Sequence, residues 1–162
     1  MAISAGLSNS DAALLASIFS LISIPFSMTV PSLTTHLSDG HRRIMLTIIS
    51  IAGMTGIAML LYPANNFLYW LAAHLLIGTA CSALFPYLMV CFSLKTSSPE
   101  NTAQLSGLAQ TGGYILAAFG PTLFGYSFEL FQSWIPAVLA LLVIDIIMTI
   151  SLFMVDRADK IL

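Results

Sequence analysis

Five long apolar runs, separated by short polar gaps, constrain this 162-residue chain more than any other feature. The hydrocarbon core of a bilayer is about 30 Å thick and needs about 20 apolar residues per helix. The five runs meet that length, at residues 12–35, 44–62, 67–94, 103–128 and 134–155. Membrane β-strands are only about 10 residues long and alternate in polarity, which excludes them here. We therefore expect an all-α integral membrane protein: a single domain of five transmembrane helices.

The composition supports lipid as the main solvent. Hydrophobic residues make up 58% of the chain and charged residues 7%, whereas soluble domains carry about 25% charged residues. So few charges cannot cover a water-exposed surface, and they form no basic patch of the kind that binds nucleic acid. We expect the lipid bilayer to be a partner of the chain and nucleic acid not to be one.

The placement of positive charge predicts the orientation of the helices. The Lys and Arg residues all fall in the gaps after the first, third and fifth runs: Arg42, Arg43, Lys95, Arg157 and Lys160. Cytoplasmic loops carry an excess of Lys and Arg. We therefore place these gaps and the C-terminus in the cytoplasm, and the N-terminus and the gaps at 63–66 and 129–133 outside.

Polar residues follow one face of the first, third and fourth runs, and these faces predict which helices border a cavity. The candidates for lining it are Gln110, Thr111 and Tyr114 on the fourth run, His74 on the third and Ser27 on the first. Two other readings stay open. Ser and Thr also pack helices or return a hydrogen bond to their own helix, and His74 also suits a simple interfacial position near the outer end of its run.

Asp145 is the one acidic residue inside a run, and it lies near mid-depth. Inserting an acid there costs about 2.5–3.5 kcal/mol on translocon scales, so such residues commonly have a function. One hypothesis is a proton-coupling site. The other is a protonated carboxyl group that hydrogen-bonds to a neighbouring helix, since no run offers Asp145 a basic partner.

Enzyme chemistry has no support in the sequence. His36 and His41 share a gap without acidic or cysteine ligands at a spacing that suits a metal. No Ser and His pairing suggests a nucleophile. We expect neither a catalytic residue, a metal nor a cofactor.

Two segments resemble a known family. Residues 103–121, AQLSGLAQTGGYILAAFGP, are similar to the penultimate helix of major facilitator transporters, and most similar to the cyanate and nitroimidazole transporter subfamily. Residues 37–43, LSDGHRR, resemble the loop signature of the superfamily, in which Asp is followed by Gly and paired basic residues. The segment lacks the Arg that follows the Asp in that signature.

The resemblance implies a partial C-terminal half of a major facilitator fold, with the five runs as helices eight to twelve of twelve. In that fold helices eight, ten and eleven face the central cavity, which corresponds to the three runs with polar faces here. The implied activity is secondary transport of a small organic solute or anion, cyanate-like or similar, across the bacterial inner membrane by alternating access.

The resemblance also implies roles for individual residues. Gln110, Thr111, Tyr114, His74 and Ser27 would contact the solute. A cytoplasmic gating loop would contain Asp39, Arg42 and Arg43.

The chain would be incomplete alone, because helices one to seven of the twelve are missing and half of the pair that rocks in alternating access is absent. Its partner would then be the missing N-terminal part or a second copy of the chain. An alternative function is a non-transporting membrane subunit that binds or regulates a partner membrane protein.

The orientation is testable with reporter fusions. A fluorescent protein that matures only in the cytoplasm should fluoresce when fused after Leu162 and stay dark when fused after Tyr62, because the C-terminus is predicted inside and that gap outside. Alkaline phosphatase, which is active only outside, should show the reverse pattern. The same reporter being active at both positions would contradict the predicted topology.

Overall fold

The computed structural model describes residues 1–62 and 64–159, which form five long α-helices after one short 3-10 turn at Ile3–Ala5. The helices are α1 (Asn9–His36), α2 (Asp39–Met59), α3 (Phe67–Lys95), α4 (Pro99–Phe131) and α5 (Ile135–Arg157). The described residues contain no strand, so the prediction of an all-α chain with five helices is confirmed. Pro63 and Lys160, which were placed outside and inside the cell respectively, lie beyond the described residues.

Polar caps set several of the helix ends. The Ser8 hydroxyl accepts a hydrogen bond from the Asp11 amide at 3.1 Å, and the Asn66 side chain accepts one from the Leu68 amide at 2.8 Å. Ser98 caps α4 in the same way, with Pro99 in the first turn. Such caps satisfy amides that have no partner within their own helix.

Four of the five helices, α1, α2, α3 and α5, are long and apolar enough to cross a membrane by length and composition. The α4 helix is the longest at 33 residues but falls outside that group. Its Gln, Ser, Thr and Gly residues lower its hydropathy, and these are the residues from which a cavity-lining role was predicted.

The gating residues were predicted to lie in a loop, and this part of the prediction is wrong, because all three are helical. Asp39, Arg42 and Arg43 all lie at the start of α2, and the linker from α1 consists of Leu37 and Ser38 alone. Asp39 in the first helical turn explains the early start, since a negative charge there interacts favourably with the helix dipole. The first helical turns of α2 therefore extend beyond the apolar run into the polar gap.

Close contacts between helix backbones define the packed side of the bundle. The α3 helix packs most extensively against α1 and α2, and α2 also packs against α5. Glycines permit these approaches: a Cβ built on Gly53 would lie 2.8 Å from the Ala80 Cβ, and one on Gly78 would lie 2.8 Å from Ile22. Small residues at such positions let membrane helices gain van der Waals contact.

The α4 helix is the exception to this packing. It has no buried residue, and its contacts with α3 and α5 are sparse. A Cβ added at Gly112 or Gly113 would meet no atom within 4 Å. Within the described part of the chain, the α4 helix therefore keeps an open face that includes Gly112.

We predict that Gly56→Ala destabilises the bundle, whereas Gly112→Ala does not. A Cβ at Gly56 would lie 2.7 Å from the Ile77 Cγ1 and 3.0 Å from the Ile77 backbone nitrogen, and overpacking typically costs about 1–3 kcal/mol. Gly112 has open space, and replacing a helical glycine by alanine favours the helix by up to about 1 kcal/mol. Unfolding in detergent, followed by helical circular dichroism, measures both changes. Equal stability of the two variants would contradict the prediction.

Candidate functional site

A cavity of about 280 Å³ lies between α3 and α4, and two of the predicted solute-binding residues line it. Gln110 and Tyr114 are one helical turn apart and therefore share a face of α4. The Gln110 Nε2 atom lies 3.6 Å from the Met89 sulfur, and Phe85 lies on the opposite wall. The cavity therefore combines a primary amide and a phenol with apolar side chains.

The other three solute-binding candidates lie elsewhere. His74 lines a separate cavity of about 510 Å³ beside α1, where its Nδ1 atom is 2.7 Å from the Trp70 carbonyl oxygen. The Ser27 hydroxyl donates to the Ile24 carbonyl at 3.0 Å within its own helix, which matches the alternative of a locally satisfied serine. Thr111 is exposed on α4 and lines neither cavity. The structure thus brings together Gln110 and Tyr114 only.

The paired arginines of the predicted gating segment converge on Asp156 at the end of α5. The Arg42 Nε donates to one carboxylate oxygen at 2.5 Å, and the Arg43 Nε donates to the other at 2.9 Å. A terminal nitrogen of Arg42 also lies 3.1 Å from Asp39. The Asp156 side chain is fully buried, and that of Arg42 is only 10% exposed. Both oxygens of a buried carboxylate are thus matched by charged donors, which is the condition for tolerating such a charge.

The α3 helix joins the same cluster through two side chains. The Tyr87 hydroxyl donates to Asp156 at 2.8 Å, and the Lys95 ammonium donates to the Asp156 backbone carbonyl at 2.8 Å. Lys95 also bonds to the Ala158 carbonyl. The Asp156 cluster, defined as Asp156 with Arg42, Arg43, Tyr87 and Lys95, therefore ties the start of α2 to the ends of α3 and α5.

Sequence reasoning missed the role of Asp156, which it assigned only to a cytoplasmic tail. One signal was available: Asp156 directly follows the fifth apolar run, at the membrane side where all the basic residues were placed. The pairing itself could not be inferred, because Arg42 and Asp156 are 114 residues apart in sequence.

Asp145 lies on the inner side of α5, against α2 and α3. It is 6% exposed, and its Oδ2 atom has no hydrogen-bond partner among the described residues. Gly53 of α2 faces this oxygen: a Cβ built on Gly53 would lie 3.7 Å from it. On α2, Gly53 is eleven residues from Arg42, and on α5, Asp145 is eleven residues from Asp156. Asp145 therefore lies about 16 Å from the Asp156 cluster along the helix axes. Asp145 thus lies near the middle of α5.

The family model for the Major Facilitator Superfamily matches residues 1–161 of the chain. The chain belongs to this superfamily. Membership makes it a multi-pass membrane protein of a transporter family rather than an enzyme family. No solved structure gives a significant match.

Three curated proteins that are similar in sequence to this superfamily member are named as permeases or transporters. A putative anionic 4-hydroxy-benzoate permease from Thauera aromatica is 35% identical over 92 residues, which cover 57% of the chain and 54% of the relative. A 2-nitroimidazole transporter from Escherichia coli K12 is 27% identical, over 91% of the chain and 36% of the relative. An uncharacterized transporter from Bacillus subtilis 168 is 26% identical, over 88% of the chain and 35% of the relative. The chain thus spans about a third to a half of the length of these relatives.

We predict that Asp156→Asn destabilises this superfamily member by about 3–5 kcal/mol, because removing one partner leaves buried charge uncompensated. Asp159→Asn is the matched control, since Asp159 is exposed three residues further along the chain. Denaturant unfolding in detergent micelles measures both. A loss at Asp156 no larger than that at Asp159 would show that the cluster does not stabilise the bundle.

Proposed function

We propose that the chain forms the C-terminal part of a secondary transporter that moves a small organic anion, or a similarly small polar solute, across the cytoplasmic membrane. The observation that carries this proposal is the Gln110 and Tyr114 cavity, which lies beside the unpartnered face of α4 in a member of a transporter family. Alternating access by rocking of two halves needs such a face on each half.

The donors of this cavity suit an oxygen-rich solute. The Gln110 amide offers two N–H groups and the Tyr114 hydroxyl one O–H group, all of which can bond to carboxylate or nitro oxygens. Phe85 and Met89 offer apolar surface to a ring. Two of the relatives are named for 4-hydroxy-benzoate and 2-nitroimidazole, each a single ring with such oxygens. A smaller anion such as cyanate fits the same donors.

In this proposal the paired arginines would stiffen the bundle by holding α2 against α5. Both bond to Asp156 within the same bundle, so they join α2 to α5 rather than reaching toward a facing half. The proposed role of Asp39, Arg42 and Arg43 is therefore to make the cytoplasmic end of this half move as one body during gating.

Asp145 is our candidate for proton coupling. A buried carboxyl group without a partner can accept and release a proton, and intramembrane acids often serve in proton relays. Uptake driven by an imposed pH gradient should then be lost in Asp145→Asn, as an additional arm of the uptake experiment below.

The chain alone would not complete the solute path, because the sparse contacts of α4 with α3 and α5 leave one face of this helix open. The missing N-terminal part of a longer transporter, or a second copy of the chain, would cover that face. The uptake experiment therefore uses a full-length version in which the seven helices that correspond to helices one to seven of the fold precede this chain.

In that full-length protein, we predict that Gln110→Ala and Tyr114→Phe each raise the KM for labelled 4-hydroxybenzoate about tenfold or more. A hydrogen bond to a charged group contributes about 1.5–3 kcal/mol, and every 1.4 kcal/mol is about tenfold in affinity. Initial uptake rates in intact cells measure the effect.

Gln104→Ala and Tyr126→Phe are the matched controls, because they lie on the same helix outside the cavity. They should leave KM unchanged. Unchanged affinity and rate in the Gln110 and Tyr114 variants would remove both residues from the solute site.

The open face of α4 also favours one other function, a membrane subunit that binds or regulates a partner without translocating a solute. Its small residues, such as Gly112 and Gly113, would allow another helix to approach closely. Crosslinking in the native membrane to one stable foreign partner, together with no uptake by the full-length version, would support this function instead.

A further inference from the structure

A third cavity, of about 290 Å³, lies between α2, α3 and α5 and is separate from the solute site proposed above. Asp145 forms part of its wall, opposite Cys81 and Phe85. We propose that this cavity, here called the Asp145 cavity, binds a small hydrophobic amine, with the ammonium group paired to the Asp145 carboxylate. This site goes beyond the proposed transport function, with which it shares Asp145, the candidate for proton coupling, but not the cavity of Gln110 and Tyr114.

The first argument is the chemistry of the cavity wall. Its other lining residues are aliphatic, aromatic or sulfur-containing, or glycine, and none of them is basic, hydroxylic or an amide: Gly53, Ile57, Ile77, Ala80, Cys81, Leu84, Phe85, Leu88, Met148 and Leu152. A molecule that fills it must therefore be apolar over most of its surface. Asp145 supplies the one strong polar contact.

The second argument is the unsatisfied carboxyl group. Asp145 is 94% buried, and its Oδ2 atom finds no donor among the described residues. The arginines that balance the other buried acid, Arg42 and Arg43, are held at the Asp156 cluster about 16 Å away. Since an unpaired carboxylate in an apolar environment is costly, this carboxyl group requires a proton or a cationic partner.

Two further polar atoms without partners lie on the same two helices. The Ser50 and Thr149 hydroxyl oxygens are buried and make no hydrogen bond within the described chain. They lie about one helical turn from Gly53 and Asp145, on the cytoplasmic side. The contact region of α2 and α5 near mid-depth thus carries more polar groups than its own residues satisfy.

The alternatives to an amine fit less well. An organic anion would be repelled by the carboxylate. A hard metal ion needs about six oxygen ligands, and the described residues contain no group of three side chains suited to a metal. An uncharged acyl chain would fill the apolar volume but leave the carboxyl group unpaired. An ammonium N–H group donates a charge-assisted hydrogen bond to it.

The volume limits the size of the amine. Drug-sized ligands occupy pockets of about 300–1,000 Å³, so the Asp145 cavity is at the lower end of that range. One aromatic ring with a short alkylamine chain matches it. N,N-dimethylphenethylamine is a suitable probe, because its protonated nitrogen carries one N–H donor and its tertiary form is not acylated.

Carbodiimide labelling of the full 162-residue chain in detergent tests the proposal. Diisopropylcarbodiimide adds to a protonated carboxyl group: the carboxyl oxygen bonds to the central carbon, the proton goes to a nitrogen, and nothing leaves. We expect Asp145 to be labelled, as located by peptide mass spectrometry, and N,N-dimethylphenethylamine to slow that labelling at least tenfold. Asp156 is an internal reference, because its ion pairs should keep it unlabelled with or without the amine.

Phenethyl alcohol is the matched control ligand, since it has the same ring and chain length but carries no charge. Equal protection by the alcohol would overturn the proposal in favour of a merely apolar cavity. No protection by the amine, or no labelling of Asp145 in its absence, would also overturn it. Thermal unfolding is the second measurement: the amine should raise the midpoint of the native chain but not that of Asp145→Asn.

These outcomes are distinguishable from those of the uptake experiment. The labelling measures access to Asp145 in its cavity, whereas the KM changes of Gln110→Ala and Tyr114→Phe measure solute affinity at the cavity between α3 and α4. Failure of the labelling test therefore leaves the KM prediction standing, and the reverse also holds; only the pH-gradient arm of the uptake experiment shares Asp145 with the amine site.

Discussion

The arrangement of one end of the bundle, where α2 begins and α3 and α5 end, depends on the buried carboxylate of Asp156. It receives Arg42 and Arg43 from α2 and Tyr87 from α3, so three helices meet at one fully buried charge. Such a charge is tolerated in a membrane protein only when donors surround it. Further along α2 the packing is different, because Gly53 and Gly56 bring its backbone close to α3. Electrostatic pairing at one end of α2 and close packing further along it thus both hold this helix to its neighbours.

The bundle is asymmetric, and the asymmetry matters for function. The α1, α2, α3 and α5 helices pack together, whereas α4 touches its neighbours sparsely and buries no residue. Phe85 and Leu88 on α3 line both the cavity of Gln110 and Tyr114 and the Asp145 cavity. The two cavities therefore lie on either side of a single apolar ridge, one with uncharged polar groups and the other with an acid.

Much of the candidate site could be predicted, and the failures have physical causes. Gln110 and Tyr114 share a cavity because residues one turn apart on a helix share a face, a relation that is local in sequence. Ser27 and His74 were grouped with them because both lie on polar faces, but their helices direct them to other surroundings. The helical position of Arg42 and Arg43 was missed, since a polar gap was read as a loop although its acidic residue favours a helix start.

The sequence by itself determined the fold class and the number of helices. In lipid each backbone amide must find its partner within its own helix, so an apolar run of sufficient length specifies a helix without reference to the rest of the chain. Tertiary structure decided which polar groups meet: Asp156 found its donors more than a hundred residues away, while Asp145 found none. Those outcomes depend on how helices are rotated and set against one another, and close contacts such as that of Gly53 with Ala80 determine this only once the chain has packed.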